Sequence, residues 1–331
     1  MKVKIVGCGL SGIIAAILLK QRGYSVEIFE TRNHIGGNCY DSNLNGVLVH
    51  NYGPHIFHTN DEKVWSFLNQ YTDFTSFRYC PKAQTDHFPF LISLPYSLTT
   101  VNEIGRELST KEIIDLIYKD YSEKQWGVPF EQISNSIISR VPVLKNITSP
   151  TWYEGERYQG IPSKGYTAMM NNMLEGIKVH LGVNSNEWKA VKADLTIYTG
   201  KIDDYFENVY GALPYRTLTF EHEITPNRLI HHAVNQCNKT NKFTRIYDHS
   251  YFLDQKEPYT VITKEYSHQY DGKGMPFYPI SFGNGPEIYK KYKELADREN
   301  RTIFLGRLAT YKYLDMWVTI KQAMVQISSL K

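Results

Sequence analysis

A glycine-punctuated turn around residue 7 constrains this chain's fold more than any other feature. The run Lys4-Ile5-Val6 reads as a buried strand and leads straight into Gly7-Cys8-Gly9-Leu10-Ser11-Gly12. Residues 13–19 form an apolar helical stretch, and VEIFE supplies a second strand ending on Glu30. Strand, GxGxxG turn, helix and strand make a βαβ dinucleotide-binding unit. Gly7 permits the tight turn, Gly9 lets backbone approach a pyrophosphate, and Gly12 allows close helix–strand packing. The helix start at Leu10 and Ser11 offers free N–H groups and a partial positive charge to phosphates. Glu30 is placed to accept hydrogen bonds from ribose hydroxyls.

Arg32-Asn33-His34-Ile35-Gly36-Gly37-Asn38 follows at once. A second glycine pair just past the ribose-binding acid lets backbone lie against the cofactor again. This arrangement resembles the FAD-binding subgroup of flavoproteins more than the NAD dehydrogenases. An ordinary β-turn at Gly36-Gly37 is the simpler local alternative. A secretory leader would place a basic region, an apolar run and a small-residue cleavage site first. Here the apolar run is already the first strand and helix, so no leader is expected.

Composition fits a soluble enzyme. A chain of 331 residues can bury a large core and divide into two or three domains. Its net charge of +3 comes from 37 basic and 34 acidic residues with no long basic block, so no nucleic-acid partner is expected. No apolar run is long enough to span a bilayer. Four cysteines (Cys8, Cys39, Cys80, Cys237) lack CxxC spacing, which suits a reduced, cytoplasmic setting and makes the sequons at Asn146 and Asn238 chance matches. Aromatic residues make up 14% of the chain, with 25 tyrosines, which suggests ring stacking and hydroxyl hydrogen bonds in a polar cleft or an interface.

The pattern along the chain predicts strands at 3–6 and 26–30 around a helix at 11–22, then a short helix at 61–70 capped by Asp61. Short strands broken by prolines follow over 74–98. Residues 100–126 are the clearest helical region, with Ser109 or Thr110 as a cap, and 133–143 reads as a turn into a strand ending at Pro142. The chain then returns to the nucleotide unit through a helix at 166–175 and strands at IKVHLG and DLTIYTG, whose Thr199-Gly200 end lets a cofactor lie close. Residues 215–280 read as an antiparallel sheet, and the last elements are a helix at 286–297, a strand at TIFLG and a helix at 315–329. The expected fold class is α/β: an FAD-binding Rossmann-like domain (1–70, 159–205 and 296–331) with an inserted helical lobe (92–135) and an antiparallel β-sheet lobe (71–91, 136–158 and 206–295).

The segments RNHIGGNCYD, GPHIFHT, YSEKQWG, SRVPV, RYQGIPSKGYT, IYTGKID, LPYRTLTFE, FTRIYDHSYF, TVITKEY, FYPI and GRLATYKYLDM occur in one order across the whole chain. Together they resemble the UDP-galactopyranose mutase family. The resemblance implies FAD, active when reduced, and interconversion of the pyranose and furanose forms of UDP-galactose or a close UDP-hexose such as UDP-N-acetylgalactosamine. It implies covalent catalysis in which N5 of the reduced flavin attacks the anomeric carbon and UDP leaves and later returns. Arg140 and Arg245 match the family's diphosphate arginines, a role that suits guanidinium groups. Tyr153 and Tyr313 match tyrosines that donate to the same diphosphate, and Tyr278 matches a substrate-cleft tyrosine. Tyr121, Ser122 and Trp126 match the uridine side, where stacking contributes about 1–3 kcal/mol per base; for Trp126 a core role is the competing reading.

His55, Ile56 and His58 lie beside the flavin in the family, which carries His55 and His58 over as catalytic candidates with Arg140 and Arg245, and their spacing without a Cys or carboxylate cluster gives no metal site. Arg32, Asn38, Gly306, Arg307, Tyr313 and Asp315 are carried over to the cofactor. Two departures stand out. The stretch between Ser97 and YSEKQWG is much shorter than the bacterial family's, which puts the usual dimer in doubt. Thr75 stands where the family places a substrate-facing asparagine. The implied partners are a UDP-sugar and a reductant such as NADPH. Two other readings of the same scaffold are an amine-oxidase-type oxidoreductase and an inactive nucleotide-sugar-binding homologue.

Overall fold

The computed structural model describes residues 1–148 and 150–330; Ser149, within the stretch 136–158, and Lys331, within 296–331, lie outside the described residues. Period-two alternation builds β1 (Lys2–Val6), whose Val3 and Ile5 face one core while Lys4 and Val6 face another containing Trp188. Helix α1 (Leu10–Gln21) and strand β2 (Ser25–Phe29) complete the first βαβ arm. β3 (Asp41–Leu44) and β4 (Val47–His50) form a hairpin closed by Asn45-Gly46, both at positive φ as a tight twisted turn requires. After β5 (Phe57–Thr59), Asp61 caps α2 (Glu62–Leu68) by accepting from the Lys63 and Val64 N–H groups.

Three short strands follow: β6 (Lys82–Thr85), β7 (Ile92–Ser93) and β8 (Tyr96–Ser97). The helical layer starts with α3 (Leu98–Ile104), which stops at left-handed Gly105. A reciprocal Ser109–Glu112 capping box opens α4 (Thr110–Ile113), as the Ser109 cap predicts. A π-helical turn at Ile114–Tyr118 joins it to α5 (Lys119–Trp126), which ends at left-handed Gly127. Where a turn into a strand ending at Pro142 was expected over 133–143, the chain instead forms α6 (Asn135–Ile138), capped by Ser134, and the strand β9 (Val143–Leu144) begins only after Pro142. A proline lacks the N–H that a strand interior needs, so β9 starts beyond it.

β10 (Tyr158–Gly160), α7 (Tyr166–Met173), β11 (Lys178–His180), α8 (Ser185–Ala190), β12 (Leu195–Tyr198) and α9 (Ile202–Tyr205) return the chain to the nucleotide unit. β13 (Tyr215–Thr225) and β16 (Thr260–Gln269) pair as a long ribbon, with β15 (Arg245–Asp248) and then β14 (Ala233–Cys237) beside β16, and β17 (Tyr278–Pro279) on the outer edge of β13. The chain ends through α10 (Gly285–Ala296), β18 (Thr302–Phe304), α11 (Gly306–Ala309) and α12 (Met316–Ser328).

Two main sheets result. The first is parallel, in the order β11-β2-β1-β12-β18, with α1 and α12 packed together on one face. The second has seven strands in the order β17-β13-β16-β15-β14-β6-β7. It departs from the expected all-antiparallel sheet at one place: β6 runs parallel to β14, because it comes from a distant part of the chain rather than from a hairpin. Ile92, expected at the start of the helical lobe, pairs with Ala83 as the sheet's edge. Ile113, Ile117 and Tyr118 of the helical layer pack on Ala83, Ile92 and Cys237 of this sheet. Buried Arg216 joins the two layers: its Nε donates to the Gln125 carbonyl (2.9 Å) and its Nη2 to that of Lys124 (3.2 Å), closing the end of α5.

Candidate functional site

A cavity of about 690 Å³ opens at the C-terminal ends of β1, β2 and β12, the place where open α/β sheets receive nucleotides. Gly7, Gly9, Leu10, Ser11, Glu30, Arg32, Gly36, Gly37, Asn38, His55, Gly306 and Arg307 all line it. The glycines are there for close approach: a Cβ on Gly7 (φ +103°) would fall 2.1 Å from Thr199 Oγ1, and one on Gly37 would fall 2.9 Å from the Gly9 backbone. Gly12 lies behind the cavity, where a Cβ would strike the Gly7 carbonyl at 2.0 Å, so its role is helix–strand packing. Buried Glu30 accepts from the Cys8 N–H (2.7 Å) and the Arg32 N–H (2.9 Å), which ties the two glycine turns together. Arg32 donates to Asn38 (2.7 Å) and lies over the Tyr52 ring, while its buried Nη1 makes no well-formed hydrogen bond; burial lowers its pKa.

These features fit FAD. Two glycine cradles, the α1 N-terminus and a buried guanidinium suit a pyrophosphate, and Glu30 suits a ribose. The far end holds His55. Its Nδ1 is 2.7 Å from the Gly53 carbonyl, which can only accept, so Nδ1 carries the proton and Nε2 is left as an acceptor. Burial, then the neighbouring His50, pushes the His55 pKa down to about 3, so the ring is neutral. Sequence reasoning missed part of the wall: Ser185, Asn186 and Trp188 of α8, and Met275 to Phe277. A signal for α8 was present, since Asn184 and Glu187 form a capping box.

Beyond His55 and Arg307 lies a polar chamber. Arg245 on β15 stands in register between Asn235 of β14 and Glu265 of β16. Its Nη2 donates to the Tyr121 hydroxyl (3.2 Å) and is 3.6 Å from Glu265 Oε1. Burial opposes its charge, but Glu265 and the hydroxyls of Tyr121, Tyr79 and Tyr278 hold its pKa above that of free arginine. Arg245 Nε, Glu265 Oε1, Asn235 Oδ1 and the Tyr247 hydroxyl are buried without hydrogen bonds. Native folds leave few such groups, so their gathering marks a place built for a polar ligand.

On the other side, Arg140 Nη2 is 2.5 Å from Asp315 and its guanidinium lies 4.4 Å from the Tyr313 ring. Tyr313 stacks on Tyr278 (5.4 Å), and Arg307 faces both rings. Burial raises the phenol pKa values of Tyr153 and Tyr278, which keeps both as donors.

The fold therefore brings together Arg140, Arg245, Tyr121, Tyr153, Tyr278, Tyr313, Arg307 and Asp315. Tyr313 and Asp315 sit in the chamber and do not line the cofactor cavity. Ser122 is half-buried beside Tyr121 on α5. Trp126 is buried at 6% exposure, its ring near Tyr278 and Phe282, so it backs the chamber. Ile56 is a core residue. His58, expected beside the cofactor, does not line the cavity and instead stacks on Tyr153. Thr75 is tied to the backbone: its N–H donates to the Ile161 carbonyl (2.9 Å) and its hydroxyl accepts from the Ile161 N–H (3.3 Å).

A dinucleotide cradle with a second glycine turn, opening on a chamber of arginines and tyrosines, defines a flavoprotein that handles a phosphorylated ligand. Comparison with known proteins narrows the class. Residues 116–313 match the UDP-galactopyranose mutase family, and residues 5–71 match an NAD(P)-binding Rossmann-like domain. The chain is 33% identical to dTDP-fucopyranose mutase of Escherichia coli, covering 97% of this chain and 96% of that one. It is 34% identical to a probable UDP-galactopyranose mutase of Klebsiella pneumoniae, over 97% and 92%. A crystal structure of reduced UDP-galactopyranose mutase superposes with a TM-score of 0.77 at 14% identity, covering 99% of this chain and 94% of that one, which shows the shared fold. The chain belongs to the UDP-galactopyranose mutase family of FAD-dependent isomerases.

Proposed function

We propose that this protein interconverts the pyranose and furanose forms of a nucleotide-linked hexose, with UDP-galactose the first candidate. The observation that carries this reading is the pair Arg140 and Arg245, joined through the Tyr313–Tyr278 stack and contiguous with the cofactor cavity. Bound in its reduced form, FAD supplies a nucleophilic nitrogen for the anomeric carbon. The chain's own residues do the rest. Arg140 and Arg245 bind the diphosphate and stabilise the charge it gains on leaving, which keeps it close enough to return. The Tyr153, Tyr278 and Tyr313 hydroxyls donate to it. Tyr121, fixed by Arg245, offers its ring to the base, with Ser122 beside it. Asp315 holds Arg140 until a diphosphate takes its place. Neutral His55 presents Nε2 as an acceptor toward the cofactor.

In this reading the stretches 1–70, 159–205 and 296–331 hold the cofactor, 92–135 carries the base, and 71–91, 136–158 and 206–295 carry the phosphate side. Thr75 serves the frame of the cleft through Ile161. The four free cysteines suit a reducing, cytoplasmic setting, with a reductant such as NADPH. The similarity to dTDP-fucopyranose mutase supports a second candidate, a deoxythymidine-diphosphate 6-deoxyhexose. The deciding experiment incubates chemically reduced and oxidised holoenzyme with UDP-galactofuranose, UDP-N-acetylgalactosamine and dTDP-fucopyranose, followed by chromatography. Ring isomers are expected from at least one sugar with the reduced form alone. Oxygen uptake with an amine, and no isomer from any sugar, would replace this reading with an oxidase.

A further inference from the structure

Resting on the reading that Tyr153 contacts the substrate diphosphate, we infer that His58 is the positioning residue that sets where the Tyr153 phenol stands. Tyr153 lies in the loop between β9 and β10, so its own backbone belongs to no strand or helix, and its ring is placed by what it packs against, Tyr79 at 6.4 Å among them. The His58 imidazole packs on it from β5. The two rings lie face to face, centroids 3.7 Å apart and planes 9° from parallel. His58 is 8% exposed, so the stack is made in the protein interior.

The same spot grips the loop backbone. Gln159, paired opposite His58 across β5 and β10, donates from Nε2 to the Tyr153 carbonyl (2.9 Å), the Glu156 carbonyl (3.3 Å) and Thr151 Oγ1 (3.3 Å). The Glu156 carboxylate returns to within 3.0 Å of His58 Nδ1. His58 and Gln159 thus hold one loop by its ring and by its carbonyls. The held phenol stands close enough to Asp315 and Arg245 for their charges to act on it. His58 touches Tyr153 and Glu156 and does not line the cofactor cavity, so it works through Tyr153.

The test measures UDP affinity of the FAD-loaded enzyme by calorimetry, with flavin content and absorbance recorded alongside. A flat-ring stack is worth enough that H58A and H58Q should each weaken UDP binding by about three- to tenfold, while H58F, which keeps the flat ring, should stay within about twofold. Flavin content and spectrum should not change. In a Y153F background H58A should add less than about twofold, since the two residues act as one unit. If H58A does not fold, the H58Q and H58F pair still decides.

Unchanged affinity in H58Q, or an equal loss from H58A with and without the Tyr153 hydroxyl, would overturn the inference. So would a changed flavin spectrum in all the His58 variants, which would return His58 to the cofactor. If Y153F alone leaves UDP affinity unchanged, the diphosphate reading of Tyr153 fails first and takes the inference with it.

Discussion

Single side chains decide whether the chamber can hold a departing diphosphate. Arg245→Ala removes a charge set among buried tyrosines, and turnover should fall by about 100- to 1,000-fold while flavin stays bound. Arg245→Lys should recover little of it, because an ammonium cannot reproduce the guanidinium fork. Steady-state kinetics beside a flavin absorbance spectrum checks both, and near-normal turnover in the alanine variant would remove Arg245 from the phosphate site. Glu30→Ala should act twice. It should weaken FAD retention, and it should lower the apoprotein's melting point because the Cys8 and Arg32 N–H groups lose their acceptor, at about 1–3 kcal/mol for each buried donor. Melting of the flavin-free variant separates the two effects. Glycine spacing made Gly7, Gly9 and Glu30 legible in the sequence. Glu265 was not, since nothing along the chain says that Thr-Lys-Glu-Tyr brings a carboxylate beside an arginine twenty residues earlier. His58 misled for a related reason: sequence proximity to His55 hides the fact that only one of them lines the cofactor cavity.

At the level of elements, α5 is the piece whose placement matters most, because it carries Tyr121 and Ser122. Its C-terminal carbonyls are held by buried Arg216, and the Ser267 hydroxyl adds a third bond to Gln125 (2.7 Å). Burial lowers the Arg216 pKa to about 10, leaving it charged at neutral pH. Arg216→Met keeps the volume and removes the donors. It should cost about 1–3 kcal/mol of stability by taking the donor from the Lys124 carbonyl, while the Gln125 carbonyl keeps Ser267, and it should raise KM more than it lowers kcat. Chemical denaturation and a kcat against KM comparison test this, and an unchanged KM would mean that α5 is seated by packing alone. Ser109→Ala, which removes a cap at an exposed helix start, should cost only about 0.5–2 kcal/mol. The helices here were readable because caps and apolar spacing are local signals. The parallel pairing of β6 with β14 was not, since β-pairing between distant segments leaves no trace in either strand.

For the molecule as a whole, pH is the simplest probe. His50 is buried and neutral, its pKa lowered by burial to about 4, whereas an unfolded histidine titrates near 6.5. The unfolded chain therefore binds a proton that the folded one refuses, so stability is full above about pH 6.5 and falls as pH drops toward 4, by up to ~3 kcal/mol from this group. Melting temperatures of holoenzyme between pH 7.5 and 5 should decline accordingly, and a flat profile would mean that His50 takes a proton in the fold. Motifs scattered over the whole length made the architecture legible as an ensemble, while the economy of this chain shows only in comparison. Its alignment with the dTDP-fucopyranose mutase runs over 366 positions against 331 residues here, so the relative carries residues that this chain lacks. The parallel sheet carries one last consequence. The strand begun at residue 2 gains its second neighbour only at residue 198, the sheet is complete only once residue 304 exists, and α1 waits longer still for its cover from α12. During synthesis on the ribosome the flavin cradle must therefore stay half-built, with the apolar flank of its first helix bare to chaperones, until nearly every other part of the chain has emerged.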